Sequence, residues 1–256
     1  MDSCSDGNEM VENYIKEITD LSGRYSTWEV WNDFISICAI SLSNSCDKEQ
    51  APQREEEYLR IVKKYKPDEL QVFCKLFAQL VMDLEEDPDQ DILGETYSRL
   101  RIVSKAHGQY FTPYNLSKAM AKMIMGEMDD GPHLINEPTC GSGSNLIAAA
   151  NTMKEEGINY QHNAYFVAQD IDSVVAKMCY IQMSLLGMPG VVIVGNTLLG
   201  ITDDMERWYT PFHFLFGDMI LRRYKNKMDM KKETGAAQEK KEKQQENWLL
   251  ELVGLT

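Results

Sequence analysis

The residues best suited to chemistry lie between Leu134 and Ala150, in the stretch L-I-N-E-P-T-C-G-S-G-S-N-L-I-A-A-A. A short apolar run ends at Glu137, Pro138 and two glycines make a turn, and a helical pattern begins at about Asn145. Gly141 and Gly143 let the backbone approach a ligand without interference from Cβ, and unpaired amides at a helix start favour anionic or polar groups. The same turn also occurs for packing reasons alone, so its neighbours matter. About 30 residues on, A-Y-F-V-A-Q-D-I-D reads as a second strand ending at Asp170 and Asp172. An acid there can accept hydrogen bonds from ribose hydroxyls, which points to a nucleoside ligand. Asp172 also suits a helix N-cap, and the two roles are compatible. V-V-I-V-G-N-T-L is expected to be a third strand ending at Asn196, and P-F-H-F-L-F-G-D a fourth ending at Asp218. Gly141, Asp170, Asn196 and Asp218 then share the carboxyl edge of a parallel sheet, where ligands of such folds bind.

The elements that must position these residues fall into three expected regions. Residues 1–106 read as helical, with Val11, Ile15 and Ile18 at helical spacing and Trp28, Trp31, Phe34, Ile35, Cys38 and Leu42 continuing an apolar stripe. Helical spacing favours interior packing over a base-stacking surface for these aromatics. Pro67 opens a further helix, and another begins near Pro88. Residues 107–221 form the strand-and-helix region. Within it, G-Q-Y-F-T-P places Thr112 as N-cap and Pro113 at the first position of a helix whose buried stripe is Leu116, Met120, Met123 and Ile124. Tyr110 and Phe111 read as loop aromatics covering the domain junction, and the neighbouring glycine loop keeps a ligand-covering role open. Residues 222–256 form a charged helical tail ending in N-W-L-L-E-L-V-G-L, suited to docking on a partner or back on the helices.

Composition narrows the function classes. The chain has 256 residues, 43% of them hydrophobic, with no apolar run near the roughly 18 residues needed to span a bilayer. Its N-terminus is polar and acidic, unlike a secretory signal, so a cytoplasmic location is expected. The six cysteines show no C-x-x-C pair and the four histidines are dispersed, so no zinc site is expected. A net charge of −14 argues against coating nucleic acid by bulk electrostatics. Nine basic and four acidic residues between Arg222 and Lys243 make that segment +5 and leave −19 elsewhere, so any nucleic-acid contact is local or comes through a partner.

An ordered set of motifs carries a resemblance. D-I-L-G-E-T-Y (Asp91–Tyr97), G-Q-Y-F-T-P (Gly108–Pro113), E-P-T-C-G-S-G-S (Glu137–Ser144) and F-V-A-Q-D-I-D (Phe166–Asp172) together resemble the adenine-N6 DNA methyltransferases, and among them the modification subunit of type I restriction-modification systems. The resemblance implies a Rossmann-like α/β methyltransferase sheet preceded by an α-helical domain, with S-adenosylmethionine as cofactor. It implies that Phe111, Thr112 and Pro113 lie against the methionine part, while Glu137, Cys140, Gly141, Ser142 and Gly143 surround the amino acid moiety. Asp170 then holds the ribose, Ile171 packs on adenine, and Asn196 reaches the adenine amino group, where the family more often has aspartate.

The family's catalytic signature, Asn or Asp followed by two prolines and an aromatic, is expected at Asp218, with Met219, Ile220 and Leu221 in place of the rest. An aromatic there stacks on a base flipped out of the duplex; leucine forgoes about 1–3 kcal/mol of such stacking. Three functions stay open. One is an adenine-N6 DNA methyltransferase that is weak or needs a partner, such as a specificity subunit. Another is a non-catalytic relative acting as a subunit or regulator of a DNA modification or defence complex. The third is a methyltransferase of small molecules or RNA on the same sheet.

Overall fold

The computed structural model describes residues 3–100, 111–126 and 128–234, with side-chain surroundings given for 9–100, 111–126 and 128–230. Helices come first: α1 (Ser3–Leu21), α2 (Thr27–Cys46), α3 (Ala51–Val62), α4 (Pro67–Glu86) and α5 (Ile92–Arg99). After α6 (Tyr114–Met125) the chain alternates: β1 (His133–Glu137), α7 (Ser144–Glu155), the short α8 (Tyr160–Asn163), β2 (Ala164–Asp170), α9 (Ser173–Leu185) and β3 (Gly190–Val194). β4 (Glu206–Tyr209) and α10 (Asp218–Thr234) complete the described chain. The expected boundary at residue 221 falls inside α10, and the apolar segment after Gln244 lies outside the described residues, as do Gly108–Tyr110.

The sheet has the order β1-β2-β3-β4; β1 to β3 run parallel, and β4 is antiparallel on the outer side of β3. This is the expected α/β architecture preceded by helices. One sheet face, including Phe166, Ala168, Val192 and Trp208, shares a single hydrophobic core with the N-terminal helices and with α7 and α9. The other, through Tyr165, Val167, Val191 and Ile193, packs on Ile220 and Leu221 of α10. Because α9 is enclosed between sheet and helices, its polar side chains are buried too, Lys177 and Gln182 among them.

A buried cation ties the helical layer to the sheet. Arg54 of α3 forms an ion pair with Asp47 at 3.3 Å, donates to the Arg207 carbonyl at 2.7 Å and to Gln50 at 2.8 Å, and also bonds Ser43. Its guanidinium lies 3.8 Å from the centre of the fully buried Trp208 ring. Stacking plus a full set of acceptors is what makes burial of a guanidinium tolerable.

Three expectations are corrected. The stretch from Pro211 to Asp218 is not a strand. His213–Gly217 is a π-helical turn that leads directly into α10. Thr210 receives the His213 amide on both its carbonyl and its hydroxyl, at 3.0 and 3.3 Å, so Thr210-Pro211 starts a helical turn and overrides the alternating F-H-F-L-F pattern. Next, α6 starts at Tyr114 with Pro113 as cap residue, and Thr112 makes no capping bond there. That helix buries Ser117 and Ala121, leaving Leu116, Met123 and Ile124 exposed, the last two by more than 80%. Close packing on the alanine-rich α7 selects the small residues, and Ser117 meets Ser144 at 2.9 Å. Finally, Trp28 is half exposed, whereas Trp31, Phe34, Ile35 and Cys38 are in the core as expected. Among the described residues no helix is long and apolar enough to cross a membrane.

Replacing Arg54 with alanine strands the buried Asp47 charge and is expected to cost about 3–5 kcal/mol in urea unfolding. Adding Asp47→Asn should recover part of this loss; an unchanged midpoint for Arg54→Ala would show that the cluster does not hold the two layers together.

Candidate functional site

β1 delivers the chain to the turn Pro138–Gly143, and the sequence explains the local path. Gly141 and Gly143 have φ of +53° and +101°, conformations that L side chains rarely adopt. A Cβ on Gly141 would meet the Phe111 ring at 3.4 Å, and one on Gly143 would meet the Cys179 sulfur at 3.0 Å. The Gly143 amide donates to the Cys140 carbonyl, and the Cys140 amide to Gln169 at the end of β2, both at 2.8 Å. The loop is thus pinned to the neighbouring strand, and α7 begins at Ser144 with its amino end facing the cleft.

The cleft at the carboxyl ends of β1 and β2 has a volume of about 320 Å³ and is lined by Phe111, Thr112, Thr139–Ser142, Ser144, Asn145, Asp170 and Val175. Of the residues expected to bind cofactor, Phe111, Thr112, Cys140, Gly141, Ser142 and Asp170 are therefore brought together. Pro113 lines an adjoining cleft that shares Phe111 and Thr112. Glu137 sits beside the loop, accepting from Asn145 Nδ2 at 3.0 Å and from the Thr139 amide at 3.3 Å. Ile171 is 69% exposed just past Asp170. Asn196 caps the 3-10 turn Thr197–Leu199 by accepting the Leu198 amide, and Thr197 bonds the Pro138 carbonyl, so that turn leans on the glycine loop.

Asp170 ties the glycine loop to the start of the next turn. One carboxylate oxygen accepts the Gly141 amide at 2.9 Å and the other the Asp172 amide at 3.0 Å. A carboxylate offers about four acceptor sites, so two remain for hydroxyls of a ligand. Asp172 is the α9 N-cap, taking the Val174 and Val175 amides. Cys140 forms a wall rather than a nucleophile: its hydrogen bond with Cys179 and its burial hold the thiol well above the ordinary range.

Asp218 is not in this group. It is exposed at the start of α10, and Gly217 just before it lies against the Tyr165 ring and the His213 imidazole. Tyr165 stands at the start of β2 and Asp170 at its end, five residues or roughly 16 Å along the strand. The expected placement of Asp218 at the carboxyl edge fails because the strand that would carry it is a helical turn.

Sequence reasoning missed Asn145 and Val175 in the cleft, although an N-terminal helix position and the turn after Asp172 both signalled them. Nor does the spacing of Asp91 in D-I-L-G-E-T-Y assign it a role. Asp91 is buried and accepts the hydroxyl of Ser142 at 2.5 Å, Gln182 Nε2 at 2.8 Å and the Gly94 amide at 2.9 Å. Burial pushes its carboxyl above the usual range despite these bonds.

The model of the family described as N-6 DNA Methylase matches residues 88–252, more than half of the chain. A curated relative, the type I restriction enzyme MjaIX methylase subunit of Methanocaldococcus jannaschii, is 22% identical over 161 residues, 54% of this chain and 28% of that protein. The chain thus matches less than a third of its curated relative's length. Among solved structures, the type I restriction-modification methyltransferase subunit from Streptococcus thermophilus aligns with a TM-score of 0.39 at 18% identity, covering 73% of this chain and 39% of the other. A protein from Listeria monocytogenes, described as a class I S-adenosylmethionine-dependent methyltransferase, aligns with a TM-score of 0.43 at 12% identity over 84% and 70%.

Gly143→Ala combines a left-handed backbone with a tight contact on Cys179. It is expected to destabilise the protein by about 1–3 kcal/mol in urea unfolding, and a loss below a few tenths would contradict the described loop.

Proposed function

Since the chain belongs to the N-6 DNA methylase family, we propose that its cleft binds S-adenosylmethionine and that the protein serves adenine-N6 methylation of DNA together with a partner. The observation that carries this reading is the meeting of Phe111–Thr112, the glycine loop and Asp170 in one cleft at the carboxyl edge of the sheet. The residues fit the group. The amino end of α7 suits a carboxylate, the absent Cβ of Gly141 leaves room beneath the Phe111 ring, and Asp170 keeps acceptor sites for ribose hydroxyls. Glu137 lies close enough to the loop to receive an ammonium, and Ile171 offers an exposed apolar face to a base. The cofactor, when bound, supplies the electrophilic methyl group.

The isolated chain is short of groups for the target base. An adenine amine needs acceptors that draw off its positive charge during transfer. None of the eight prolines is adjacent to another, so the Asn/Asp-Pro-Pro turn is absent from the sequence, and Asp218 sits at the far end of β2. A strongly acidic surface also disfavours unaided binding to a duplex. A partner, of which a specificity subunit is one kind, then brings the DNA and completes the site. The second reading, a non-catalytic relative within a modification or defence complex, is favoured by the same position of Asp218.

Calorimetry is expected to show S-adenosylmethionine binding by the wild type and at least tenfold weaker binding by Asp170→Ala; no heat with the wild type would sink the cofactor assignment. With labelled cofactor, the chain alone should transfer little methyl to adenine in duplex DNA. Strong transfer without a partner would overturn partner dependence, and binding with no transfer under any partner would favour the non-catalytic reading.

A further inference from the structure

The glycine loop is held from behind by a helix that belongs to the N-terminal layer. Asp91, the N-cap of α5, fills both of its carboxylate oxygens: one takes the Gly94 amide and Gln182 Nε2, the other the Ser142 hydroxyl. Gln182, fully buried in α9, closes the ring by donating to the Ser142 carbonyl at 2.9 Å and accepting the Leu93 amide at 3.3 Å. Ser142 is therefore gripped at its hydroxyl and at its carbonyl, and its side chain points to α5 rather than to a ligand. Gly94 makes this meeting sterically possible, because a Cβ there would collide with the Asp91 carboxylate and the Ser142 hydroxyl.

The same short helix supports the opposite wall of the cleft. Tyr97, one turn further along α5, packs edge-on against Phe111 with ring centres 5.5 Å apart, and its ring also neighbours Trp31 of α2 at 6.2 Å. Phe111 in turn lies over Gly141. One helix thus sets the distance between the loop and the aromatic ring that faces it.

We propose that α5 is the positioning element of the cofactor cleft and Asp91 its positioning residue, so that the docking of the helical layer controls how tightly the cleft holds its ligand. This rests on the cofactor reading given above, but the loop itself can be examined without ligand. Displacement of α5, by a partner bound to the helical layer, would release Ser142 and Phe111 together and open both walls.

Hydrogen exchange of the Gly141–Ser144 amides and calorimetry with S-adenosylmethionine, on the full chain, test the idea. Asp91→Ala is expected to speed loop exchange at least tenfold and to weaken cofactor binding at least tenfold. Asp91→Asn, which still accepts from Gly94 and Gln182 and can donate to the Ser142 hydroxyl, should stay within about threefold of the wild type. Gly94→Ala raises helix propensity, yet it should behave like Asp91→Ala because the new methyl separates Asp91 from Ser142. Unchanged loop exchange in folded Asp91→Ala and Gly94→Ala overturns the proposal, as does an Asp91→Asn defect equal to that of alanine. If Asp91→Ala does not fold by circular dichroism, Gly94→Ala and Ser142→Ala decide by the same readouts. If the wild type binds no cofactor, the cofactor reading falls, and loop exchange alone decides the role of α5.

Discussion

A carboxylate withdrawn from water is tolerated only when its oxygens are filled, because an unpaired buried charge costs several kcal/mol. Asp91 meets that condition with three donors from three places: its own helix, the glycine loop and α9. Gln182 also donates to the Ser142 carbonyl, so the loop is joined to Asp91 both directly and through α9. Ser142 and Gln182 have almost no solvent exposure, so water cannot replace these bonds where they are. The shape of the cleft, the path of the loop and the seating of the helical layer on the sheet all depend on it.

The second junction is of the same physical kind. Arg54 brings a charge into the interface between α3 and β4, where Asp47, backbone carbonyls and the face of Trp208 receive it. Lys177, nearly buried on α9, reaches Ser36 and Glu57 from the other side. Apolar packing supplies most of the gain in this layer, but it is indifferent to direction. The two polar clusters fix how the helices sit on the sheet. That fixed seating is why a helix distant in sequence from the glycine loop can determine the position of the loop.

The amino and carboxyl edges of the sheet differ in character. At the carboxyl edge, turns rich in glycine and acid leave backbone amides and carboxylate oxygens facing a cleft. At the amino edge, Tyr165 bonds His213 at 2.8 Å beneath an aromatic cluster, and Asp218 begins α10 in solvent. Ligand chemistry is thereby concentrated at one edge and packing at the other. The residues that line this cleft lie at the carboxyl edge, and Asp218 does not join them.

Much of the site was legible in the sequence because its signals are local. Gly141 and Gly143 were readable from backbone conformations that only glycine adopts freely. Asp170 and the Asp172 cap were readable from their place at the end of an apolar run, and the parallel order of β1 to β3 from the alternation of strands and helices. The stripe of α2 was readable from periodicity, though Trp28 showed that a stripe can be wider than the surface it meets. Three features were settled only by tertiary structure. Whether Pro211–Asp218 became strand or helix depended on Thr210 capping a turn, which a period-two pattern conceals. Which face of α6 was buried depended on the close approach of α7, which selects Ser117 and Ala121 over larger apolar residues. That Asp91 would hold Ser142 depended on bringing residues 51 positions apart into hydrogen-bonding contact, and no spacing rule encodes such a distance. The sequence by itself determined the glycine turn, because backbone geometry is local; tertiary structure alone decided what braces that turn and where Asp218 stands, because packing partners are not.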